Sequence, residues 1–244
     1  MRLLEVINIV VPMAGGGKRF KDAGYTQPKP MISIAGRPMI DWAIECVSGL
    51  KVPHKFIFLA LASDLKAGLG TLLSARGEIV VLNEISAGAV NTTLHSKYLI
   101  DNSDPLVIAN CDQYLEWNFN EFINSTQEFD GSVVVFESTN PHHSYIEASN
   151  DLIIRVKEKE VISDLACGGV YFYRRGSDYV QGAQKLIESN ERTNGEFYIT
   201  PVFNKLIEIN KKITYFKVSS SDKHMLGTPE EVKEFLKTTE RINH

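Results

Sequence analysis

The segment Pro12-Met13-Ala14-Gly15-Gly16-Gly17-Lys18-Arg19-Phe20 joins three consecutive glycines to two cations. Glycines tolerate positive φ angles and let backbone N–H groups approach an anion closely, and the cations complement such a ligand. The chemistry this suits is the cradling of phosphates. Two other glycine loops do not fit. A dinucleotide fingerprint starting at Gly15 and Gly17 needs a further glycine where Phe20 stands, and a G-x-x-x-x-G-K-[ST] loop needs glycine at Pro12 and a hydroxyl residue at Arg19. Beyond Arg19, Lys29 lies between Pro28 and Pro30, whose fixed φ angles hold one ammonium group in a rigid turn. Asp112 follows an apolar run and is the first carboxylate after it.

These groups act together only if the fold brings them to one place. Strand-like runs at 7–13, 55–61, 78–82 and 105–109 are short, apolar and bounded by turn residues. Helical patterns lie between them. Residues 38–50 space Met39, Trp42, Ala43, Cys46 and Val47 on one helical face, 63–73 follows a capping Ser, and 91–100 opens on Asn91. The alternation predicts a Rossmann-like α/β fold, a mixed and mainly parallel sheet flanked by helices, with ligands at the carboxyl ends of the strands. Further strands are expected at 131–137, 152–156, 166–173 and 213–218, with helices at 178–190, 200–210 and 230–242.

Length and composition set the frame. The 244 residues exceed the usual ~150 of one domain without reaching two, and no linker or repeat divides them. One domain is expected over 1–244. The apolar fraction is 43% and the charged fraction 23%, as in ordinary globular proteins. A net charge of -4 supplies no general field for nucleic acid, so an anionic ligand must be held by local cations. The longest apolar run, residues 56–62, is far short of the ~20 needed to cross a bilayer, which argues against a membrane partner. Arg2 and the apolar residues after it are interrupted by Glu5 and Asn8, so the N-terminus is read as mature protein rather than a signal peptide. The cysteines Cys46, Cys111 and Cys167 lack disulfide or zinc spacing and suit the cytoplasm. The six histidines are scattered and read as surface residues.

The strand followed by G-x-G-x-R-F and then P-K-P closely resembles the signature of nucleotidyltransferases that make nucleotide sugars and related activated metabolites, including short, single-domain pyrophosphorylases and cytidylyltransferases. Later segments keep the family's order. Asn110-Cys111-Asp112 is similar to its magnesium-binding strand end, residues 154–159 to its V-x-E-K segment, and Cys167-Gly168-Gly169-Val170-Tyr171 to its substrate-side glycine strand. Asn194-Gly195-Glu196-Phe197-Tyr198-Ile199-Thr200 resembles G-E-Y-Y-x-T, and Gly227-Thr228-Pro229-Glu230 resembles a closing G-T-P-E turn.

The resemblance implies a glycosyltransferase-A-like nucleotidyltransferase fold. It implies Mg2+-dependent transfer of a nucleoside monophosphate from a nucleoside triphosphate to a phosphorylated small molecule, with release of pyrophosphate. Residues 1–115 would mainly hold the nucleotide and 116–244 the acceptor. Ala14, Gly15, Gly16 and Gly17 would meet the triphosphate, with Arg19 and Lys29 as the catalytic cations. The loop at 83–92, with Glu84 and Gly88, would admit the base, a pyrimidine by preference, and Asn110 would stand on the nucleotide side. Lys159, Gly169 and Glu196 would contact the acceptor, which ranges in this family from sugar 1-phosphates to phosphocholine and phosphoglutamine. A role in capsule or cell-surface polysaccharide synthesis follows by the same analogy, and the chain is too short for the C-terminal hexapeptide-repeat domain of some relatives. A homo-oligomer is compatible with this. Asp112 is the expected metal ligand. Many relatives carry a second Asp where this chain has Met225, a poor ligand for a hard cation, and Asp222 is the nearest carboxylate to replace it. Two other functions share these features: a glycosyltransferase consuming a nucleotide sugar, and a non-catalytic nucleotide sensor.

Overall fold

The structure is a computed structural model that describes residues 6–242; Arg2 and the N-terminal reading built on it fall outside them. Nine strands form one sheet among these residues. In chain order they are β1 (Ile7–Pro12), β2 (His54–Leu61), β3 (Glu78–Leu82), β4 (Leu106–Ala109), β5 (Gly131–Glu137), β6 (Ser144–Ser149), β7 (Leu152–Glu158), β8 (Leu165–Tyr173) and β9 (Ile213–Lys217). β3, β2, β1 and β4 run parallel; β8 is antiparallel to β4 and to β5, and β9 lies parallel to β5. The sheet therefore crosses residue 116 without a break. The β6–β7 hairpin joins at the N-terminal part of β8, where Ala166 pairs with Tyr145.

β1 is central, so Ile7 through Val11 are all buried, as expected of a parallel strand covered on both faces. The strand period of two sends Val10, Leu59 and Ile108 to one face. There they meet Tyr179, Val180, Ala183 and Leu186 of helix Gly176–Glu188. Ile9, Val11, Phe58 and Val107 point to the other face, against Ile40, Ala43 and Cys46 of helix Met39–Cys46 and Phe122 of helix Phe119–Ser125. A smaller cluster links Phe20, after the glycine loop, with Ile32, Leu226, Val232 and Phe235. It fastens helix Pro229–Ile242 beside the start of the chain.

Several boundaries differ from the sequence expectation for local reasons. The helix expected at 63–73 is broken by a turn in which Gly68 takes φ +115°. The one at 91–100 becomes Ala89–Leu94 and Lys97–Ile100, parted at Ser96, which is buried and donates its hydroxyl to the Thr93 carbonyl. Strand β6 and the antiparallel ribbon of Gln113–Leu115 with Lys223–Met225 were not anticipated. His224 on that ribbon is a correction. Its side chain is only 10% exposed, stacks on Tyr114 and meets Glu116 at 2.8 Å, so it is not a surface histidine.

Candidate active site

β1 and β4 are adjacent and parallel, with Val10 opposite Ile108, so their carboxyl ends place the glycine loop beside Asn110-Cys111-Asp112. Gly17 adopts φ +59° as it caps helix Lys18–Asp22, and a Cβ there would lie 3.3 Å from the Lys29 Cβ. The left-handed turn thus brings the Pro28-Lys29-Pro30 corner against the loop. Among the described residues, the backbone N–H groups of Ala14, Gly15, Gly16 and Gly17 donate to no other residue. They are free to meet an anion.

Lys29 Nζ lies 2.5 Å from Asp112 Oδ2, with 18% and 27% of the side chains exposed. Burial works against both charges, but each is held by the other. The Lys29 pKa is raised above its ordinary value, Asp112 overcoming desolvation with help from Cys111 and Glu231. The Asp112 carboxyl is lowered, Lys29 and then Lys223 outweighing desolvation. Cys111, the residue before Asp112, is pushed up to about 12, mainly by burial, so it is no thiolate nucleophile near neutrality.

Ala14, Gly15, Gly16, Gly17, Lys29, Gly88, Asn110, Asp112 and Glu196 line one cleft of about 340 Å³, together with Ile85, Ser86, Thr92 and Tyr198. A contiguous depression of about 380 Å³ adds Arg19, Lys18 and Gly227 and shares Lys29, Asp112 and Glu196. Arg19 is exposed and makes no ion pair among the described residues. The far wall is stitched to the base-side loop: Phe197 N–H donates to the Ala87 carbonyl at 3.0 Å, and Val90 N–H to the Phe197 carbonyl at 3.1 Å. Gly88 has φ +119°, and a Cβ there would sit 2.6 Å from the Phe197 nitrogen and oxygen, so the junction requires glycine.

Other expected site residues stand differently. Glu84 is exposed and does not line the cleft. Gly169 is not open to an acceptor: its carbonyl accepts Asn110 N–H at 2.9 Å and Gln113 Nε2 at 2.8 Å, and a Cβ would meet Gln113 Oε1 at 2.2 Å. It fixes the Asn110–Gln113 turn instead. Lys159 reaches the site through Tyr198, donating to its hydroxyl with the ammonium 4.3 Å from the ring centre. Asp222 lines neither cleft. Its carboxylate accepts from Ser221 Oγ at 2.9 Å and its carbonyl from Glu116 N–H at 2.9 Å, which makes it a turn residue.

Three participants escaped the sequence reading. Tyr198 lies within a segment singled out there, yet only Glu196 was taken from it. Lys223 is buried and donates to Gln113 Oε1 at 2.7 Å. Burial lowers its pKa to about 8 despite nearby Cys46, Asp112 and Glu231. Glu231 carries a buried Oε2 without a hydrogen-bond partner among the described residues. A Cβ on Gly227 would lie 3.1 Å from Asp112 Oδ2 and 3.2 Å from that Glu231 oxygen. An unpartnered carboxylate oxygen beside Asp112 is a donor set of the hard kind that Mg2+ takes.

Residues 9–230 match the family described as Nucleotidyl transferase. The bifunctional protein GlmU of Methanococcus maripaludis is 26% identical over 213 residues, 84% of this chain and 48% of the relative. The chain thus spans about half the length of the curated relatives it matches. The nucleoside-diphosphate-sugar pyrophosphorylase of Vibrio cholerae superposes with a TM-score of 0.81 at 26% identity, covering 94% of this chain and 99% of the other. The inositol-1-phosphate CTP transferase of T. maritima shares the fold, with a TM-score of 0.72 at 16% identity, covering 95% of both chains. With the match running over residues 9–230, most of the sheet and both sides of the cleft, the chain belongs to the nucleotidyl transferase family.

Proposed function

We propose that the protein transfers a nucleoside monophosphate from a pyrimidine nucleoside triphosphate to the phosphate of a small metabolite, a sugar 1-phosphate or a comparable phosphorylated molecule, and releases pyrophosphate. The observation that carries this is the row of backbone N–H groups at residues 14–17, without an acceptor among the described residues, in the cleft that also holds the Lys29–Asp112 pair. An acceptor phosphate oxygen forms a bond to the α-phosphorus as the bond from that phosphorus to the β-phosphate bridging oxygen breaks, and the electron pair leaves with pyrophosphate. A phosphate monoester is already anionic near neutrality, so the site needs no general base.

Catalysis is then positioning plus charge stabilisation. The backbone N–H groups of residues 14–17 cradle the triphosphate, Arg19 grips its outer phosphates with a planar fork, and Lys29 neutralises charge near the α-phosphate. Asp112 would hold Mg2+, a hard cation that takes carboxylate and other oxygen ligands. Bound there, the ion neutralises phosphate charge and orients the reacting oxygens. Residues 1–115 mainly serve the nucleotide and 116–244 the acceptor, with Glu196 and Lys159–Tyr198 on the acceptor side. No helix among the described residues is long and apolar enough to cross a membrane. We place the reaction in the cytoplasm, supplying activated units for surface polysaccharide.

The test is a panel of CTP, UTP, dTTP, ATP and GTP against sugar 1-phosphates, phosphocholine and inositol 1-phosphate, with pyrophosphate and nucleoside diphosphate both measured. One pyrophosphate per nucleotidylated product with a pyrimidine triphosphate is expected. Release of nucleoside diphosphate from a nucleotide sugar, without pyrophosphate from any triphosphate, contradicts the assignment.

A further inference from the structure

Helix Pro229–Ile242 begins with the sequence Thr228-Pro229-Glu230-Glu231. A Thr at the cap with Glu three residues on is a capping box, in which the hydroxyl accepts from the third N–H and the carboxylate returns to the N–H of the cap. Half of the box is made. Thr228 Oγ1 accepts Glu231 N–H at 3.1 Å, but the Glu231 carboxylate makes no return bond. Its Oε2 is instead buried with no hydrogen-bond partner among the described residues, on the same side of Gly227 as Asp112 Oδ2.

A buried, unpaired carboxylate oxygen is costly unless something positive reaches it. Two buried ammonium groups supply charge nearby, but Lys29 bonds Asp112 and Lys223 bonds Gln113. The small cluster of Phe20, Leu226, Val232 and Phe235 fixes the first turn of the helix against the glycine loop, so the carboxylate is held toward the site by packing. Gly227 keeps the space between the two acidic side chains open, since any Cβ there would press on both. Met225, on the adjoining ribbon, offers only a thioether, a poor ligand for a hard cation.

We infer that Glu231 is a second carboxylate ligand for the divalent cation held by Asp112, reaching it from the first turn of the C-terminal helix. The inference rests on the metal-dependent transfer proposed above, and it replaces Asp222 in that role. The cation is a hard one, Mg2+ or Mn2+.

The test uses Mn2+ alone, titrated into the full chain without nucleotide and followed by electron paramagnetic resonance, so that it is independent of turnover. Melting curves check each variant's fold. Wild type should bind Mn2+ saturably. Glu231→Gln should weaken that binding by about tenfold or more, and Glu231→Asp, which keeps the charge but shortens the reach, should also weaken it. Thr228→Ala, which breaks the cap but leaves the carboxylate, and Asp222→Ala should stay within about twofold of wild type. If Glu231→Gln binds as wild type while Asp112→Asn does not, the inference falls and the metal reading of Asp112 stands. If wild type binds no Mn2+, or Asp112→Asn binds normally, both fall. Full binding by Glu231→Asp with loss in Glu231→Gln also overturns direct ligation, because charge alone would then suffice.

Discussion

The two walls of the cleft are built by opposite means. The glycine-loop wall is one contiguous stretch, residues 13–19, and presents backbone N–H groups fixed by the end of β1 and the left-handed turn at Gly17. The opposite wall, residues 196–198, presents side chains and is positioned by contacts remote in sequence: Phe197 bonded to Ala87 and Val90, and Tyr198 beneath Lys159. Backbone recognition of a phosphate depends on chain geometry that few sequences can supply, so it is uniform and local. Side-chain recognition of an acceptor can be rebuilt by single substitutions. In the proposed reaction the first wall therefore carries the nucleotide chemistry, and the second the choice of acceptor.

If that division holds, the largest loss should come from the cation on the backbone wall. Lys29→Ala is expected to lower kcat/KM by about 10²- to 10³-fold with every acceptor, and Lys29→Arg should not restore it, since a guanidinium fork cannot take the place of a compact ammonium between two prolines. Arg19→Ala should act in the same direction. A loss confined to one acceptor would show that Lys29 belongs to the other wall.

The junction between the walls comes next. Gly88→Ala forces a side chain into φ +119° and against the Phe197 backbone. It should destabilise the protein by about 1–3 kcal/mol in urea unfolding and raise KM for the triphosphate. Unchanged stability would mean that the walls are not joined there.

The smallest effect concerns the support under Asp112. Burial lowers the Lys223 pKa from 10.5 to about 8, so the unfolded chain binds that proton more tightly than the folded one. The resulting penalty is full below pH 8 and is relieved as pH rises toward 10.5. Other groups titrate in this window, so the comparison is with Lys223→Met. The stability difference between the two proteins should move in wild type's favour between these pH values, and a move the other way would show that Lys223 is not buried as a strained cation.

The same contrast explains what could be read in advance. The parallel strands β1 to β4 are continuous apolar runs, and the glycine loop follows the first of them, so both were visible. Gly169 was given to the acceptor by resemblance to a substrate-side glycine strand, whereas a glycine in a strand also marks a close approach, and here what approaches is Gln113 and Asn110, a tertiary fact with no local mark. Strand β6 mixes Ser144, Glu147 and Ser149 with apolar residues because only part of it is covered, and the run was too polar to notice. Asp222 was chosen by nearness in sequence to Met225. Glu231 is farther along the chain, yet one helical turn folds it back beside Asp112.

In the proposed reaction the cleft transfers a nucleotidyl group, and Asp112 would hold the divalent cation that offsets the phosphate charge. This is tested most directly by single-turnover pyrophosphate release from wild type and Asp112→Asn in Mg2+, with a melting curve for each. Wild type should release one pyrophosphate per product, and Asp112→Asn should be slower by about 10²-fold or more with its fold retained. Wild-type rates and normal Mg2+ dependence in Asp112→Asn would contradict the account.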